Sequence, residues 1–461
     1  MKNNSVTSKP RPMATSSFTP PLIGALIARH AEDAAFYWSQ LDWTLRSSDV
    51  GFERLRHFNR LLDAHLDGLK VAGSTGWKSA LAALERWQKP GEAFTCTTVA
   101  LQCDDAGMLD DVLKLVSRHP DKLVRGAVSA LAACHSEHFA TIAQRWSICE
   151  TTPAAQVIVL RAAALRENTA ITPLDSSLPA YLKAQNSHIR AAACRACTVS
   201  AQPESLIPLL NEALSDADLQ VCAEASIALG RLGNAERALP ALLQSVLMQA
   251  NLYSGATGAI RAQASRRLQR WVRELAWLTP IGAPEASDML AQLPPRIALT
   301  FALWHGDLTH LPFVIDQLAD EDVGRYAGWV WQTLTGIDLI ANGLALPEPD
   351  PASLDPDQLI TETRLDADSG HPQANQAAVR AATAASPHLA SRGKRVLLGR
   401  EMDAKTALDL LENAPQAIRA MAAQMLNHAQ STVRINVRAS TTEQRIAMNT
   451  LHDMFTPRAA A

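Results

Sequence analysis

The chain has 461 residues, of which 47% are hydrophobic, 19% charged and 5% aromatic, and roughly one in six is alanine. Lys+Arg at 43 against Asp+Glu at 46 gives a net charge of −3, so no global charge draws the chain to nucleic acid or acidic lipid. Seven cysteines in so long a chain are not a disulfide framework, and no run of 18 apolar residues offers a membrane span.

Residues 1–21 are polar and rich in Ser, Thr and Pro, without the apolar block of a secretory signal, and read as a disordered leader of a cytoplasmic protein. Residues 22–90 predict a helical cap. Ile23, Leu26, Ile27, Ala31 and Ala34 fall at helical spacing, as do Leu55, Phe58, Leu62, Leu66 and Leu69, and then Trp77, Leu81, Leu84 and Trp87.

From 91 to 346 the sequence is periodic. Asp121-Lys-Leu-Val-Arg125, Asn186-Ser-His-Ile-Arg190, Asp218-Leu-Gln220 and Glu321-Asp-Val-Gly-Arg325 each precede an apolar stripe, Ala-rich in most copies; Ala414-Pro-Gln-Ala-Ile-Arg419 repeats the pattern beyond the array. With a weaker copy at Gln156, the central positions lie 31, 34 and 30 residues apart, and a period in this range signals stacked helix pairs. Alanine lets helix axes approach closely, and Asp or Asn before the second helix is a good N-cap. Val124, Ile189, Val323 and Ile418 are expected between repeats, and Arg125, Arg190, Arg325 and Arg419 are expected to meet acids or carbonyls of adjacent repeats. The fold class is therefore all-α, a solenoid.

Residues 347–375 read as an acidic linker, with five prolines and seven acids against one base over Pro347–Pro372. Residues 376–455 read as further repeats. They hold the alternating Val433-Arg-Ile-Asn-Val-Arg438, a strand signature whose expected partner is Lys394–Gly399, and residues 456–461 form a tail.

The repeats resemble the HEAT-like superfamily. Further motifs resemble an uncharacterised proteobacterial HEAT-like family often encoded near type VI secretion spike genes. They are His30-Ala-Glu-Asp-Ala-Ala-Phe-Tyr-Trp38, Leu62-Asp-Ala-His-Leu-Asp-Gly68, Gly324-Arg-Tyr-Ala-Gly-Trp-Val-Trp331 and Gly393-Lys-Arg-Val-Leu-Leu-Gly399. The resemblance implies a cytoplasmic protein and brings no catalytic residues with it.

Chemistry-bearing motifs are few. Cys194-Arg-Ala-Cys197 lies inside an Ala-rich helix without a second pair, so it reads as small buried residues, as do Cys96, Cys103, Cys134, Cys149 and Cys222. No HExxH, GxGxxG, GxxxxGK[ST] or GxSxG occurs, and neither cofactor, metal ligand nor catalytic residue is assigned. His135-Ser-Glu-His138 reads as a solvated loop, and Asp63 with Asp67 as a polar helix face that His65 points away from.

Arg266, Arg270 and Arg273 form a basic stripe at helical spacing, and Trp329 and Trp331 sit two apart, so that one is buried and the other leans outward. These five are the candidate contacts for a protein partner, a type VI secretion effector or spike protein being the case the resemblance suggests, and the function expected is a non-catalytic scaffold or adaptor. The alternative is a HEAT-like enzyme of lyase or DNA-glycosylase type, acting on a ligand or nucleic acid in the concave face. The negative net charge and the short extent of the basic stripe count against nucleic acid.

Overall fold

A computed structural model describes residues 23–147, 152–166, 172–347, 368–389, 393–429 and 433–455. Residues 1–21, most of the acidic linker, Cys149 and the tail lie outside them.

The architecture is a helical solenoid. It opens with α1 (Gly24–Thr44), α2 (Phe52–Val71) and α3 (Ser74–Trp87), followed by α4 (Pro90–Cys103), α5 (Ala106–Arg118), α6 (Pro120–Ala133), α7 (Ser136–Ser147) and α8 (Pro153–Leu165). Next come the short α9 (Thr172–Asp175) and α10 (Leu178–Leu182), then α11 (Ser187–Cys197), α12 (Ile207–Ala213) and α13 (Leu219–Arg231). A long pair follows, α14 (Ala235–Gly255) and α15 (Gly258–Leu278), before α16 (Glu285–Gln292), α17 (Pro295–His305), α18 (Leu311–Asp316) and α19 (Gly324–Thr335). The C-terminal part holds α20 (Gln376–Ala384), β1 (Val396–Leu397), β2 (Arg400–Glu401), α21 (Ala404–Asn413), α22 (Gln416–Ala429) and α23 (Thr441–Phe455).

Local chemistry sets these starts. Proline fixes φ at the first turns of α4, α6, α8 and α17, where no amide partner is lost. Asn186 and Asp218 cap α11 and α13 through Oδ1, accepting from His188 N at 2.9 Å and Gln220 N at 2.8 Å. Asp121 does not cap: α6 begins at Pro120, which leaves Asp121 in its first turn beside the positive helix end.

The helices α4, α6, α8, α11 and α13 pack side by side in succession, with Val124, Ile189, Val323 and Ile418 buried as the periodicity predicts. Gly126 sets the closest approach. A Cβ there would lie 2.0 Å from the Pro90 carbonyl oxygen, so only glycine lets α6 lie on α4.

The two ends of the array meet. Gln416 N and Ala417 N, at the start of α22, donate to Val50 O (2.9 Å) and Ser47 O (3.0 Å) between α1 and α2. Thr441 N donates to Asn59 Oδ1 at 2.7 Å, and Arg419 lies 4.5 Å over the Phe52 ring. Phe52 and Leu55 of α2 join the same apolar core as α15–α23, while the rest of the cap packs into the core of α4–α13. Between α22 and α23 the segment from Val433 to Ser440 crosses the middle, where Asn436 Nδ2 donates to Leu165 O at the end of α8 (2.9 Å).

The sheet differs from expectation. β1 pairs antiparallel with β2, immediately after it, and the segment 433–438 is irregular with Ile435 buried. Leu398 (φ 51) and Gly399 (φ 69) both adopt left-handed backbone, the geometry of a two-residue hairpin turn. Their amides donate to Thr333 O (2.6 Å) and Leu334 O (2.9 Å), capping the end of α19.

The same region holds a buried polar knot. Arg395 donates to the carbonyls of Ala276, Trp277, Thr279, Trp304 and His305, satisfying the last turns of α15 and α17. His305 Nδ1 and His310 Nε2 share a hydrogen bond of 2.8 Å, and Asp307 accepts from Gly282 N and Thr309 N. Burial, then His310 and Arg395, push His305 down to about 4. The end of the acidic stretch is also tied down: Asp368 is buried and pairs with Arg296 (2.7 Å), and Leu346 N donates to Gln373 O (2.7 Å).

Candidate functional site

Between the successive helices of the array lies an arginine-lined centre. Its floor is Glu224, in the middle of α13 and without solvent exposure. Its Oε1 accepts from Arg195 of α11 at 2.6 Å, from Arg270 of α15, and from Trp271 Nε1 at 3.3 Å. Burial pushes this carboxyl up, but Arg195 and Arg270 outweigh it and hold Glu224 at about 2. Arg161 of α8 stands beside the same group, close enough to Arg195, Arg270 and Arg125 to be pushed down by them after burial has acted. It makes neither hydrogen bond nor ion pair among the described residues.

The walls follow the same pattern. Asp42, at the end of α1, pairs with Arg125 of α6 and with Arg438 of the crossing segment (3.5 Å). Glu274 is taken by Arg231 at 2.7 Å. Arg46, Arg266, Arg267 and Arg273 then face this region without a carboxylate bonded to them among the described residues, and partial burial of their stems, followed by a neighbouring guanidinium, pushes each below its ordinary range. Arg273 lies 4.9 Å over the Trp304 ring, and its Nε–H is buried without an acceptor. Arg46, Arg266 and Arg438 remain exposed, so the centre opens to solvent on that side.

The sequence-predicted residues fall into three groups. Arg270 and Arg273 line the centre, Arg270 in an internal ion pair, and Arg266 lies exposed at its mouth. Of the two tryptophans, Trp331 is the buried one: it has no solvent exposure and donates through Nε1 to Thr383 Oγ1 (3.1 Å), which places it in the core and corrects its standing among the candidate contacts. Trp329 is half-buried in a stack between Tyr326 (5.6 Å) and His371 (5.7 Å). Among the repeat arginines, Arg190 meets Asp216 of the next repeat (2.7 Å) and the carbonyls of Ala184 and Gln185. Arg125 instead reaches back to the cap, and Arg419, fully buried, is held by the amide oxygens of Gln416 and Gln444 rather than by an acid. Arg325 is half-buried on α19.

Arg161, Arg195, Glu224, Arg46 and Arg438 were not singled out by the sequence reading. One signal existed: Arg161 and Arg195 are 34 residues apart, each five positions beyond the repeat's central residue, in the register of Gln156 and Arg190. Cys194 and Cys197 are buried, and burial pushes the Cys197 thiol up to about 12. Cys103 departs from the buried reading, lying exposed at the last residue of α4. His65 turns from Asp63 and Asp67 toward His30, ring nitrogen to ring nitrogen at 2.9 Å.

One surface stands out beyond the centre. The α14–α15 pair is longer than its neighbours by eight residues relative to α13, roughly 12 Å of helix. Its projecting end exposes Met248, Leu252 and Ile260. No described helix is long and apolar enough to cross a membrane.

No curated protein matches the chain. Residues 174–262, from α9 through the tip of the long pair, match the family model of HEAT repeats, which supports a HEAT-like reading of the array.

Proposed function

We propose that the protein is a non-catalytic scaffold that holds a protein partner at the projecting end of α14 and α15. The observation that carries this is the exposed apolar group Met248, Leu252 and Ile260 on a hairpin extending beyond the array, with Arg266 farther along the same helix. Apolar side chains gathered at an accessible tip are a usual basis of protein contact, and a flanking arginine suits a partner of acidic or mixed character. HEAT repeats commonly serve as interaction scaffolds. The family resemblance makes an effector or spike protein of type VI secretion the partner to look for.

The test is affinity capture from the native cell with the natural chain and with Met248→Glu/Ile260→Glu. A partner identified as a secretion component should be captured by the first and lost by the second, with the helical circular dichroism unchanged. Equal capture by both would remove the hairpin from the interface. Turnover of a substrate by the purified protein would overturn the scaffold reading.

A further inference from the structure

We propose that the arginine-lined centre binds a small compound carrying several phosphate groups. This does not rest on the protein contact at the hairpin, with which it shares only Arg266. Arg161 stands on α8 at the register of Arg195 on α11, the helix packed against it; Arg266, Arg267 and Arg273 lie on α15 around Arg270, which shares Glu224 with Arg195; and Arg46 follows Asp42, the partner of Arg125, just past the end of α1. None of these five arginines makes a hydrogen bond or ion pair among the described residues, and neighbouring guanidiniums act on each of them. Of the carboxylates near it, Asp42, Glu224 and Glu274 are engaged by other arginines, and Asp218 and Asp121 stand near Arg267 without an ion pair to it. Each free guanidinium raises the cost of charging the next, so the centre as built stores like-charge repulsion that an anion would relieve.

The geometry favours phosphate. A guanidinium presents a planar fork of donors that matches two oxygens on one phosphorus, and phosphate groups concentrate charge in a compact volume. The closure of the array limits the space. The segment from Val433 to Ser440 crosses it, tied to Leu165 by Asn436 and to Asp42 by Arg438. An extended acidic peptide spreads its charges over a length that such a bounded site does not offer, whereas a compact polyanion does not have to thread it. Arg46 and Arg266, exposed at the mouth, give the entry its positive sign.

The purified full chain is titrated with inorganic tripolyphosphate, with orthophosphate at equal ionic strength, and with a ten-residue oligoglutamate. Calorimetry should give about one tripolyphosphate per chain, and the melting temperature should rise by several degrees, because a ligand bound only by the folded state stabilises it. Orthophosphate should produce a smaller shift. Arg161→Gln/Arg267→Gln should weaken tripolyphosphate binding at least about tenfold, while its melting temperature without polyanion stays equal or rises, since repulsion has been removed. Arg46→Gln, on an exposed side chain, keeps the test decisive if the double variant fails to fold, and should weaken binding several-fold. Identical tripolyphosphate responses in the natural chain and in the folded variants would overturn the proposal. So would tighter binding of oligoglutamate than of tripolyphosphate, which would make an acidic protein segment the occupant. Loss of partner capture in the hairpin variants bears on the scaffold reading alone.

Discussion

Arg395 donates to five backbone carbonyls at the ends of α15 and α17, whereas Arg161, one helix layer away from Glu224, reaches no acceptor among the described residues. Both guanidiniums are pushed down by burial, so burial does not distinguish them. What differs is who supplies the acceptors. In the knot the chain supplies its own, including Asp307 for the amides of Gly282 and Thr309. In the centre it supplies cations in excess. A buried polar group that serves the fold is satisfied by the fold, and one left over points toward a ligand.

The comparison can be broken most directly at the knot. Arg395→Ala should leave five helix-terminal carbonyls without their donor and destabilise the protein by roughly 3–5 kcal/mol, read as a shift of the denaturation midpoint. Arg395→Lys should recover only part, because an ammonium lacks the spread of donors. If the alanine variant is as stable as the natural chain, the knot is not structural.

Glu224→Gln tests the floor of the centre. It should cost about 3 kcal/mol, since Arg195 and Arg270 lose the one carboxylate that serves both. The linked acid effect has a definite sign. A carboxyl held at about 2 rather than 4.5 contributes stability above its unfolded value, and that contribution is lost as pH falls from about 4.5 toward 2. The glutamine variant should show a flatter stability profile over that window.

His305 sharpens the comparison from the knot side. Its folded value of about 4 lies below the ordinary 6.5, so the unfolded chain takes up the proton first. Stability should fall as pH drops from 6.5 toward 4, by about 2 kcal/mol at pH 5, and His310, lowered in the same direction, adds to it. Melting curves at pH 7 and pH 5 check this, and His305→Gln should remove much of the slope.

The smallest effect belongs to Arg161→Gln. Removing an unpaired cation from among other cations should change stability by less than about 1 kcal/mol, on the favourable side, in buffer without polyanions. A large loss on this substitution would mean that Arg161 is held by the fold after all.

The sequence carried the helices and the packing register, because both depend on local periodicity. Val124, Ile189, Val323 and Ile418 could be placed between repeats from spacing alone, and they are buried. Arg190 could be read as a link between repeats because its partner Asp216 lies in the next one. The centre was hidden for the opposite reason. Arg195 sits inside a Cys-x-x-Cys that drew attention to sulfur, and Arg161 inside an alanine run that reads as core. The place of Arg438 beside Asp42 depends on the ends of the array joining, and no local pattern reports that contact. The strand pattern of 433–438 misled because alternation there places Ile435 in the core of a crossing segment, while the turn at Leu398 and Gly399 gave β1 a nearer partner.

Joining the ends also bears on the order in which the molecule is made. An open repeat array can fold from the first units as they leave the ribosome, since each needs only its neighbour. Here Val50 awaits Gln416, Asn59 awaits Thr441 and Asp42 awaits Arg438, contacts that span most of the chain. The cap and early helices can therefore assemble during synthesis, but the last step waits for α22 and α23, a long-range contact of the kind that slows folding. Until then Arg46, Arg125 and Arg161 line an open groove rather than a closed centre, and the chain is basic on that face while it is still attached to RNA-rich machinery. Truncation before Gln416 should fix the molecule in that open state, with its repeats formed and its centre exposed.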